Sequence, residues 1–401
     1  MPSQEDRPMQ DHRRLGRELE LYHLDPMIGA GLPIWLPAGA AVRHAIESYI
    51  REVERLAGYQ HVYSPPLAKR VMYERSGHLA KFADDMFAPI DDGGDELMLR
   101  PSLCPHHAMV FGSRGRSYRE LPLRIAELGG MYRAERSGVV GGLSRVRAIW
   151  LNDAHIFCSL DQVGDEVAAI LDMILRAHKA LGVAVDSFRL SRRGEGAGYI
   201  GAPSSWALAE DMLRQALVAA GISFAEAPGE AAFYGPKIDI QIRDVHDRVY
   251  SLSTIQIDFA QPERFGLEYV APDGDRHSPV MIHRSVVGGL ERLVGHLIEV
   301  HQGAFPAWYA PVQLAVLPVG AQQSEAAHRF ASDAMRLGLR AEVREHESLG
   351  HRVREASKVP FIAVIGEREA EVGAVSLRSH AGVLPEGAAL DLIAAECRPP
   401  L

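Results

Sequence analysis

The feature that most constrains this fold is a pair of long alternating segments between residues 121 and 157. Apolar and polar residues alternate on both sides of a glycine-rich break at residues 137–142. Alternation with a period of two is typical of β-strands that bury one face. Two such segments joined by one break predict a long antiparallel hairpin that carries an unusually large loop.

Helical and strand patterns surround this hairpin and predict an α+β domain. Residues 40–56 place Val42, Ile46 and Ile50 at helical spacing, with charged residues between them. The other elements predicted here are a short strand near residues 61–69, helices over 159–181, 204–221 and 288–300, and a second hairpin from 238–242 and 249–259.

The pattern changes near residues 305–311. Beyond that point short apolar strands alternate with helices, which favours a separate α/β domain with a mostly parallel sheet. We therefore predict two domains: a large, mostly antiparallel α+β domain over residues 1–309 and a small α/β domain over residues 310–401.

Composition excludes several classes of protein. Hydrophobic residues make up 47% of the 401-residue chain and charged residues 24%, as in water-soluble globular proteins. No run of about 18 apolar residues is present, so no membrane span is expected. The three cysteines, Cys104, Cys158 and Cys397, lie far apart, which favours a reducing, cytoplasmic location. The net charge of −9 shows no general attraction for nucleic acid, so a nucleic-acid partner would need a local basic face.

Arginines cluster in the first hairpin. Arg133 and Glu135 point to one face of a strand, as do Arg145 and Arg147. Pairing of the strands would bring these side chains together on a cationic face suited to phosphate. A solvated ladder of salt bridges explains the same pattern.

Two further patterns are compatible with a ligand site. Cys104, His155 and His283 lie in apolar surroundings on separate elements and would suit zinc with one open coordination position, although buried histidines usually have only a structural role. Arg292 lies just inside a predicted helix beside glycines that let a ligand approach closely; pairing with Glu291 or with a neighbouring strand is the structural alternative.

The chain resembles the threonyl-tRNA synthetases from about Asp11 to Ser379. The resemblance is carried in order by segments that include SGHLAKFADDMF, RPSLCPHH, SYRELPLRIAELGGMYRAERSG, RVRAIWLNDAHIFC, AFYGPKIDIQI, TIQIDFAQPERF and PVMIHRSVVGGLER. It implies a class II synthetase fold, with an antiparallel sheet flanked by helices and a small α/β anticodon-binding domain. It also implies a homodimer formed through the helix at residues 40–56.

The resemblance assigns roles around ATP and magnesium. Arg133 is expected to hold the α-phosphate and the amino-acid carboxylate, Glu135 the adenine amino group, and Arg145 the γ-phosphate. Arg292 is expected to lie against the nucleotide, and Gln256 is placed on the same ATP-binding wall. Fixed cations of this kind stabilise charge that develops on phosphate oxygens.

The resemblance also assigns the amino-acid and tRNA contacts. Zinc on Cys104, His155 and His283 would receive the amino and hydroxyl groups of threonine. The other expected contacts are Asp153, Tyr234 and Lys237 for the amino acid, His78 for transfer to tRNA, and Glu371, Arg378 and His380 for the anticodon. A site that demands a hydroxyl rejects valine far more strongly than shape alone can.

Several positions depart from the family pattern. Ile149 replaces an aromatic residue and Leu151 a glutamine, and Arg136, His106, Gly289 and His380 also differ. We predict a threonine–tRNA ligase that lacks the N-terminal editing domain and misactivates serine. Two alternatives stay open: a divergent relative that passes threonine or another β-hydroxy amino acid to a different acceptor, and a non-catalytic binding protein.

Overall fold

The computed structural model describes residues 11–196, 198–378 and 382–401. The described residues divide into two compact units. We call residues 24–33 and 50–296 the central unit, and residues 11–23, 34–49 and 297–401 the terminal unit; each is taken separately below. The domain boundary between residues 309 and 310 stays a prediction.

The helices, numbered in chain order, are α1 His12–Glu18, α2 Pro37–Leu56, α3 Arg70–Ser76, α4 His78–Phe82, α5 Cys104–Phe111, α6 Val163–Leu181, α7 Pro203–Ala219, α8 Ala260–Phe265, α9 Leu290–His301, α10 Ser324–Arg336, α11 Leu349–Glu355, α12 Glu367–Val372 and α13 Glu386–Glu396. None of these helices combines the length and the apolar character that crossing a membrane requires.

The strands are β1 Tyr22–His23, β2 Ile34–Trp35, β3 Gln60–His61, β4 Leu67–Lys69, β5 Ile90–Asp91, β6 Glu96–Leu99, β7 Leu123–Tyr132, β8 Ala148–Cys158, β9 Ser187–Arg192, β10 Ala225–Pro228, β11 Lys237–Arg243, β12 Val249–Asp258, β13 Tyr269–Val270, β14 Arg276–His277, β15 Val280–Ser285, β16 Leu314–Pro318, β17 Ala341–Val343, β18 Phe361–Ile365, β19 Ala374–Leu377 and β20 Gly382–Pro385.

The central unit is built on one large sheet. Its described strands lie in the order β10-β9-β11-β12-β15-β8-β7-β3. The strands from β9 to β7 pair antiparallel, while the outermost strands β10 and β3 pair parallel to their neighbours. The predicted hairpin at residues 121–157 is confirmed as β7 and β8, and the class of the fold, α+β, is confirmed with it.

One face of the central sheet is covered by α6 and α7. A capping box formed by Ser159 and Gln162 precedes α6, and Gly182 ends it in the left-handed conformation at φ 73°. His178 of α6 contacts Ser253 of β12, with 2.7 Å between Nε2 and Oγ. Ser253 faces α6, so the neighbouring side chains of Thr254 and Gln256 point to the other face of the sheet.

The terminal unit contains a second sheet, with its described strands in the order β17-β16-β18-β19-β20. Strands β17, β16 and β18 are parallel, whereas β19 and β20 pair antiparallel. The expectation of a mostly parallel sheet is confirmed for β17, β16 and β18 but not for β19 and β20, whose antiparallel pairings make the sheet mixed. The connection between β18 and β19 contains only the six-residue helix α12. It is too short to cross over the sheet, so β19 lies antiparallel beside β18.

A buried ion pair joins strand β15 of the central sheet to the last part of α2. Arg284 of β15 and Glu54 are both about 1% exposed or less, and Nη2 lies 2.8 Å from Oε1. Asn152 and His61 also bind the Glu54 carboxylate, at 2.7 and 2.6 Å. The Arg284 guanidinium stacks on Tyr59, 4.3 Å from the ring centroid. Glu54 and Arg284 therefore compensate each other's loss of hydration.

We expect Arg284→Met to destabilise the chain by about 3–5 kcal/mol, because it leaves the Glu54 carboxylate buried without its cation. Urea unfolding followed by circular dichroism measures the change. Arg276→Met is the matched control, because Arg276 pairs with Glu268 on the surface and its side chain is 75% exposed. Equal midpoints for the two variants would contradict the prediction.

Candidate active site and metal centre

A cavity of about 410 Å³ opens on the face of the central sheet opposite α6. The predicted active-site residues that line it are Cys104, Arg133, Glu135, Arg145, Asp153, His155, Tyr234, Lys237, Gln256, His283 and Arg292. These residues are spread along the chain from Cys104 to Arg292, so it is the fold that brings them together.

Strand register assembles the metal-binding cluster. His155 of β8 is paired directly with His283 of β15, which is paired in turn with Gln256 of β12. Directly paired residues project to the same face of a sheet. Cys104, the first residue of α5, reaches the two imidazoles, and one ligand atom from each of the three residues lies within 4.8 Å of the others.

The hydrogen bonds of His283 decide which of its nitrogens is free. Nε2 lies 2.9 Å from the Asp258 carboxylate. The other oxygen of Asp258 accepts the backbone N–H groups of Ala260 and Gln261 at the start of α8, at 2.8 and 2.9 Å. Nδ1 therefore faces the cluster, 3.0 Å from Nε2 of His155.

The donor set fits zinc. One thiol and two imidazoles are a combination that zinc uses in sites where a further position stays open for substrate. Burial raises the pKa of the Cys104 thiol to about 12, so a metal that bound there would displace its proton. The Sγ atom also lies 2.8 Å from Ser102 Oγ and 3.4 Å from Gln261 Nε2.

The cationic wall of the cavity is formed by the ends of the first hairpin. Arg145 donates to Glu135 from Nη2 and Nε, at 2.8 and 3.0 Å. Arg147 instead donates to the backbone carbonyl of Glu135 at 2.8 Å and does not line the cavity. The pairing of Arg145 with Arg147 on one face was therefore wrong. Both residues lie before β8 begins, where strand alternation no longer applies.

Arg292 is anchored by two backbone carbonyls, one of them on the neighbouring strand β12. Its Nε donates to Ser144 at 3.0 Å and its Nη1 to Ser251 at 3.4 Å. Gly288, with φ 66°, precedes its helix, and a Cβ there would lie 2.4 Å from the Leu252 carbonyl oxygen. The close approach explains why glycine is required before α9.

The amino-acid side of the cavity lies beside the metal cluster. Burial raises the pKa of Asp153 to about 7, and its carboxylate lies 3.9 Å from His155 Nε2. Tyr234 stacks on the His283 ring at 4.6 Å between centroids and donates to Gln256 at 2.5 Å. Lys237 reaches into the cavity and pairs with Asp239 at 3.1 Å.

His78 lies behind the cluster instead of lining the cavity. It is 4% exposed, and its Nε2 atom lies 3.2 Å from Ser102 Oγ and 3.7 Å from Cys104 Sγ. Its Nδ1 atom contacts Ser76 at 2.8 Å. The assignment of His78 to the transfer of the amino acid stays a prediction.

Two of the departures from the family pattern are coupled. Ile149 and Gly289 face each other across the cavity wall, and a Cβ at position 289 would lie 2.9 Å from Ile149 Cγ2. Glycine therefore makes room for the branched side chain. Leu151 also lines the cavity, while His106 is buried in α5. Arg136 lines an open groove with residues 80–85, which adjoins the cavity at Glu135 and Arg145.

Sequence patterns missed several polar residues that support the site. Asp258 binds His283, and His107 contacts His155 with 2.7 Å between the two Nδ1 atoms. His107 lies three residues after Cys104 on α5, a spacing that places both on one side of a helix. That spacing could have identified His107, whereas Asp258 depends on strand pairing.

The predicted anticodon contacts lie in the terminal unit. Glu371 is exposed near the end of α12, and Arg378 is exposed just after β19. The backbone N–H of Arg378 donates to Ile362 at 3.0 Å. His380 lies outside the described residues.

Comparison with known proteins defines the class of this chain. The family described as tRNA synthetase class II core domain (G, H, P, S and T) matches residues 85–301, and the family described as anticodon binding domain matches residues 313–388. A Giardia lamblia prolyl-tRNA synthetase shares the fold, with a TM-score of 0.72 at 17% identity over 97% of this chain and 81% of that one. The chain belongs to the class II tRNA synthetases.

More similar proteins narrow the assignment within that class. Threonine–tRNA ligases from Geobacillus sp. (strain WCH70) and Listeria welshimeri are 46% and 44% identical over 95% and 98% of this chain. A structure titled as the RNA binding domain of threonyl-tRNA synthetase from Cryptosporidium parvum Iowa II has a TM-score of 0.93, with 33% identity over 98% of this chain and 99% of that one. The chain belongs to the threonyl-tRNA synthetase family. It spans about 60% of the length of the curated relatives.

Proposed function

We propose that this chain is an ATP-dependent threonine–tRNA ligase, which forms threonyl-adenylate and transfers threonine to tRNA. One observation carries the proposal: Cys104, His155 and His283 meet in the same cavity as Arg133, Arg145 and Arg292. A site for an amino alcohol and a site for phosphates therefore adjoin, as the condensation of threonine with ATP requires.

Recognition of the amino acid would depend on a zinc ion. Zinc bound by Cys104, His155 and His283 would act as a Lewis acid that takes the amino and hydroxyl groups of threonine as further ligands. Asp153 would accept the hydroxyl proton in a hydrogen bond, while Tyr234 and Lys237 would close the pocket around the side chain. Valine would leave these buried polar groups without a partner.

The arginines would bind ATP with magnesium. Arg133 would hold the α-phosphate and the threonine carboxylate, and Arg292 and Gln256 would form the wall against the nucleotide. Arg145 and Glu135 pair with each other at 2.8 Å, so ATP would exchange that ion pair for contacts with its γ-phosphate and adenine amino group. Such preorganised cations stabilise the charge that spreads over phosphate oxygens as pyrophosphate leaves.

The acceptor is proposed to be tRNA. The match of residues 313–388 to an anticodon-binding domain supports this partner, with Glu371, Arg378 and His380 as the proposed anticodon contacts. His78 is proposed to assist the transfer step. The three cysteines are buried and unpaired, which fits the proposed cytoplasmic location.

A homodimer is proposed through the region that surrounds the second half of α2. Met27, Leu56 and Tyr63 are 96%, 60% and 83% exposed in the central unit and offer apolar surface that a second copy of the chain would cover. We expect sedimentation equilibrium to give twice the 44.0 kDa chain mass at micromolar concentration. A monomer under these conditions would contradict the proposal.

We expect one zinc ion per chain, lost on Cys104→Ser, because two imidazoles alone do not hold zinc in competition with a chelator. Metal analysis after dialysis against a weak chelator measures the stoichiometry. Cys397→Ser is the control, because this cysteine lies in the terminal unit outside the cluster. Full zinc occupancy in Cys104→Ser would contradict the assignment.

Pyrophosphate exchange tests the activity directly. We expect exchange with threonine, weaker exchange with serine, which keeps both zinc-binding groups, and a rate with valine lower by about 10⁴-fold or more. Arg133→Ala should lower exchange by at least about 10²-fold, because it removes a cation from the reacting phosphate.

Charging of threonine tRNA separates the main proposal from its alternatives. Exchange with threonine but no charging would favour the divergent relative with a different acceptor, the alternative suggested by the departures at Ile149, Leu151 and His380. No exchange with any common amino acid, despite bound zinc, would favour a binding protein.

A further inference from the structure

A buried histidine pair extends from the metal cluster into the protein interior. His155 and His107 are both 0% exposed, and their Nδ1 atoms lie 2.7 Å apart. Two imidazole nitrogens at this distance share one proton, so one ring must donate and the other must accept. The direction of this bond decides whether Nε2 of His155 has a lone pair for a metal.

Beyond His107, the next group in this series of hydrogen bonds is the Glu127 carboxylate. Oε1 accepts from the Ser64 backbone N–H at 3.2 Å and from Arg100 Nη2 at 3.1 Å. Oε2 accepts from the Ser64 hydroxyl at 2.6 Å and lies 3.2 Å from His107 Nε2. The Ser64 hydroxyl is the donor there because it accepts from Arg100 Nη1 at 2.6 Å. Donors thus surround both oxygens of Glu127.

A carboxylate surrounded by donors has no proton to give, so His107 must carry its proton on Nε2. The pKa of Glu127 agrees: burial alone would raise it, but the hydrogen bonds from His107 and Ser64 and the charge of Arg100 lower it to about 2. Neutral His107 then has its lone pair on Nδ1, which faces His155.

We infer that His107 and Glu127 form a positioning relay that holds the proton of His155 on Nδ1 and so keeps its Nε2 lone pair directed at the metal. The relay mirrors the bond between Asp258 and His283 on the other imidazole ligand. If the hydrogen bonds of the relay ran in the opposite direction, His155 would carry its hydrogen on Nε2, where it would block the metal. The inference rests on the zinc site of the proposed function.

Two substitutions of His107 separate the relay from simple packing. An asparagine places its amide oxygen near the Nδ1 position and can accept from His155. A glutamine reaches the Nε2 position and leaves His155 Nδ1 without an acceptor. We expect His107→Gln to lower zinc affinity by about 10–100-fold and His107→Asn to stay within about 3-fold of the unaltered chain.

The measurement is competition for zinc against a chromophoric chelator, using the full chain. His106→Gln is the matched control: this residue is next on α5 and also buried, and within the described residues its ring makes no hydrogen bond to the cluster. Urea unfolding of each metal-free variant reports on folding. Should His107→Gln fail to fold, Glu127→Gln tests the relay. Its amide can donate to His107 Nε2, which would reverse the direction of the hydrogen bonds between Glu127, His107 and His155.

The outcomes distinguish the relay from the zinc site. Weaker zinc binding in His107→Gln or Glu127→Gln, with His107→Asn and His106→Gln unchanged, supports the relay. Equal affinity of the His107 variants and the control overturns the relay alone. An unaltered chain that binds no zinc overturns both the zinc site and the relay.

Discussion

The pairing of β12, β15 and β8 is the constraint on which the site depends. Because Gln256, His283 and His155 are directly paired, they project side by side from one face of the sheet. A shift of one residue in either pairing would turn a ligand to the opposite face, where α6 packs. The pairing of these antiparallel strands thus determines the geometry of the metal-binding cluster as well as the fold.

The opposite face of the same strands holds the register in place. Arg284 follows His283 in β15, so its side chain projects to the opposite face of the strand, where Glu54, Asn152 and Tyr59 surround it. Moving β15 along its neighbours would separate a buried charge from its partner, which is costly. A single strand therefore carries a metal ligand on one face and the anchor of its own position on the other.

The polar groups behind the cavity share one arrangement. Asp258 orients His283 and is itself held by the backbone of α8, while Glu127 faces His107 and is held by Ser64 and Arg100. Each imidazole ligand is thus supported, directly or through His107, by a carboxylate whose oxygens are already engaged. Support of this kind lowers the reorganisation that metal or substrate binding would require.

Much of the fold followed from the order of residues alone. Alternation with a period of two identified β7 and β8, apolar spacing identified α2 and α9, and capping serines with terminal glycines identified α6 and α7, all within a few residues, because such patterns are local. Short elements such as α3, α4, β13 and β14 were missed, since two to seven residues carry too little pattern. The antiparallel pairing of β19 and β20 in the terminal unit was also missed, because the direction of a strand relative to its neighbour depends on the connection between them and not on the residues of the strand alone.

By itself, the sequence determined which chemical groups are available and their order in motifs typical of the threonyl-tRNA synthetase family. Only the tertiary structure decided that Cys104, His155 and His283 meet, that Arg145 lines the cavity while Arg147 does not, and that His78 lies behind the cluster. It also selected Asp258, Glu127 and His107 as partners of the ligands. The reason is physical: residue type sets what a side chain can bind, but strand register and burial set which groups come within hydrogen-bonding distance of one another.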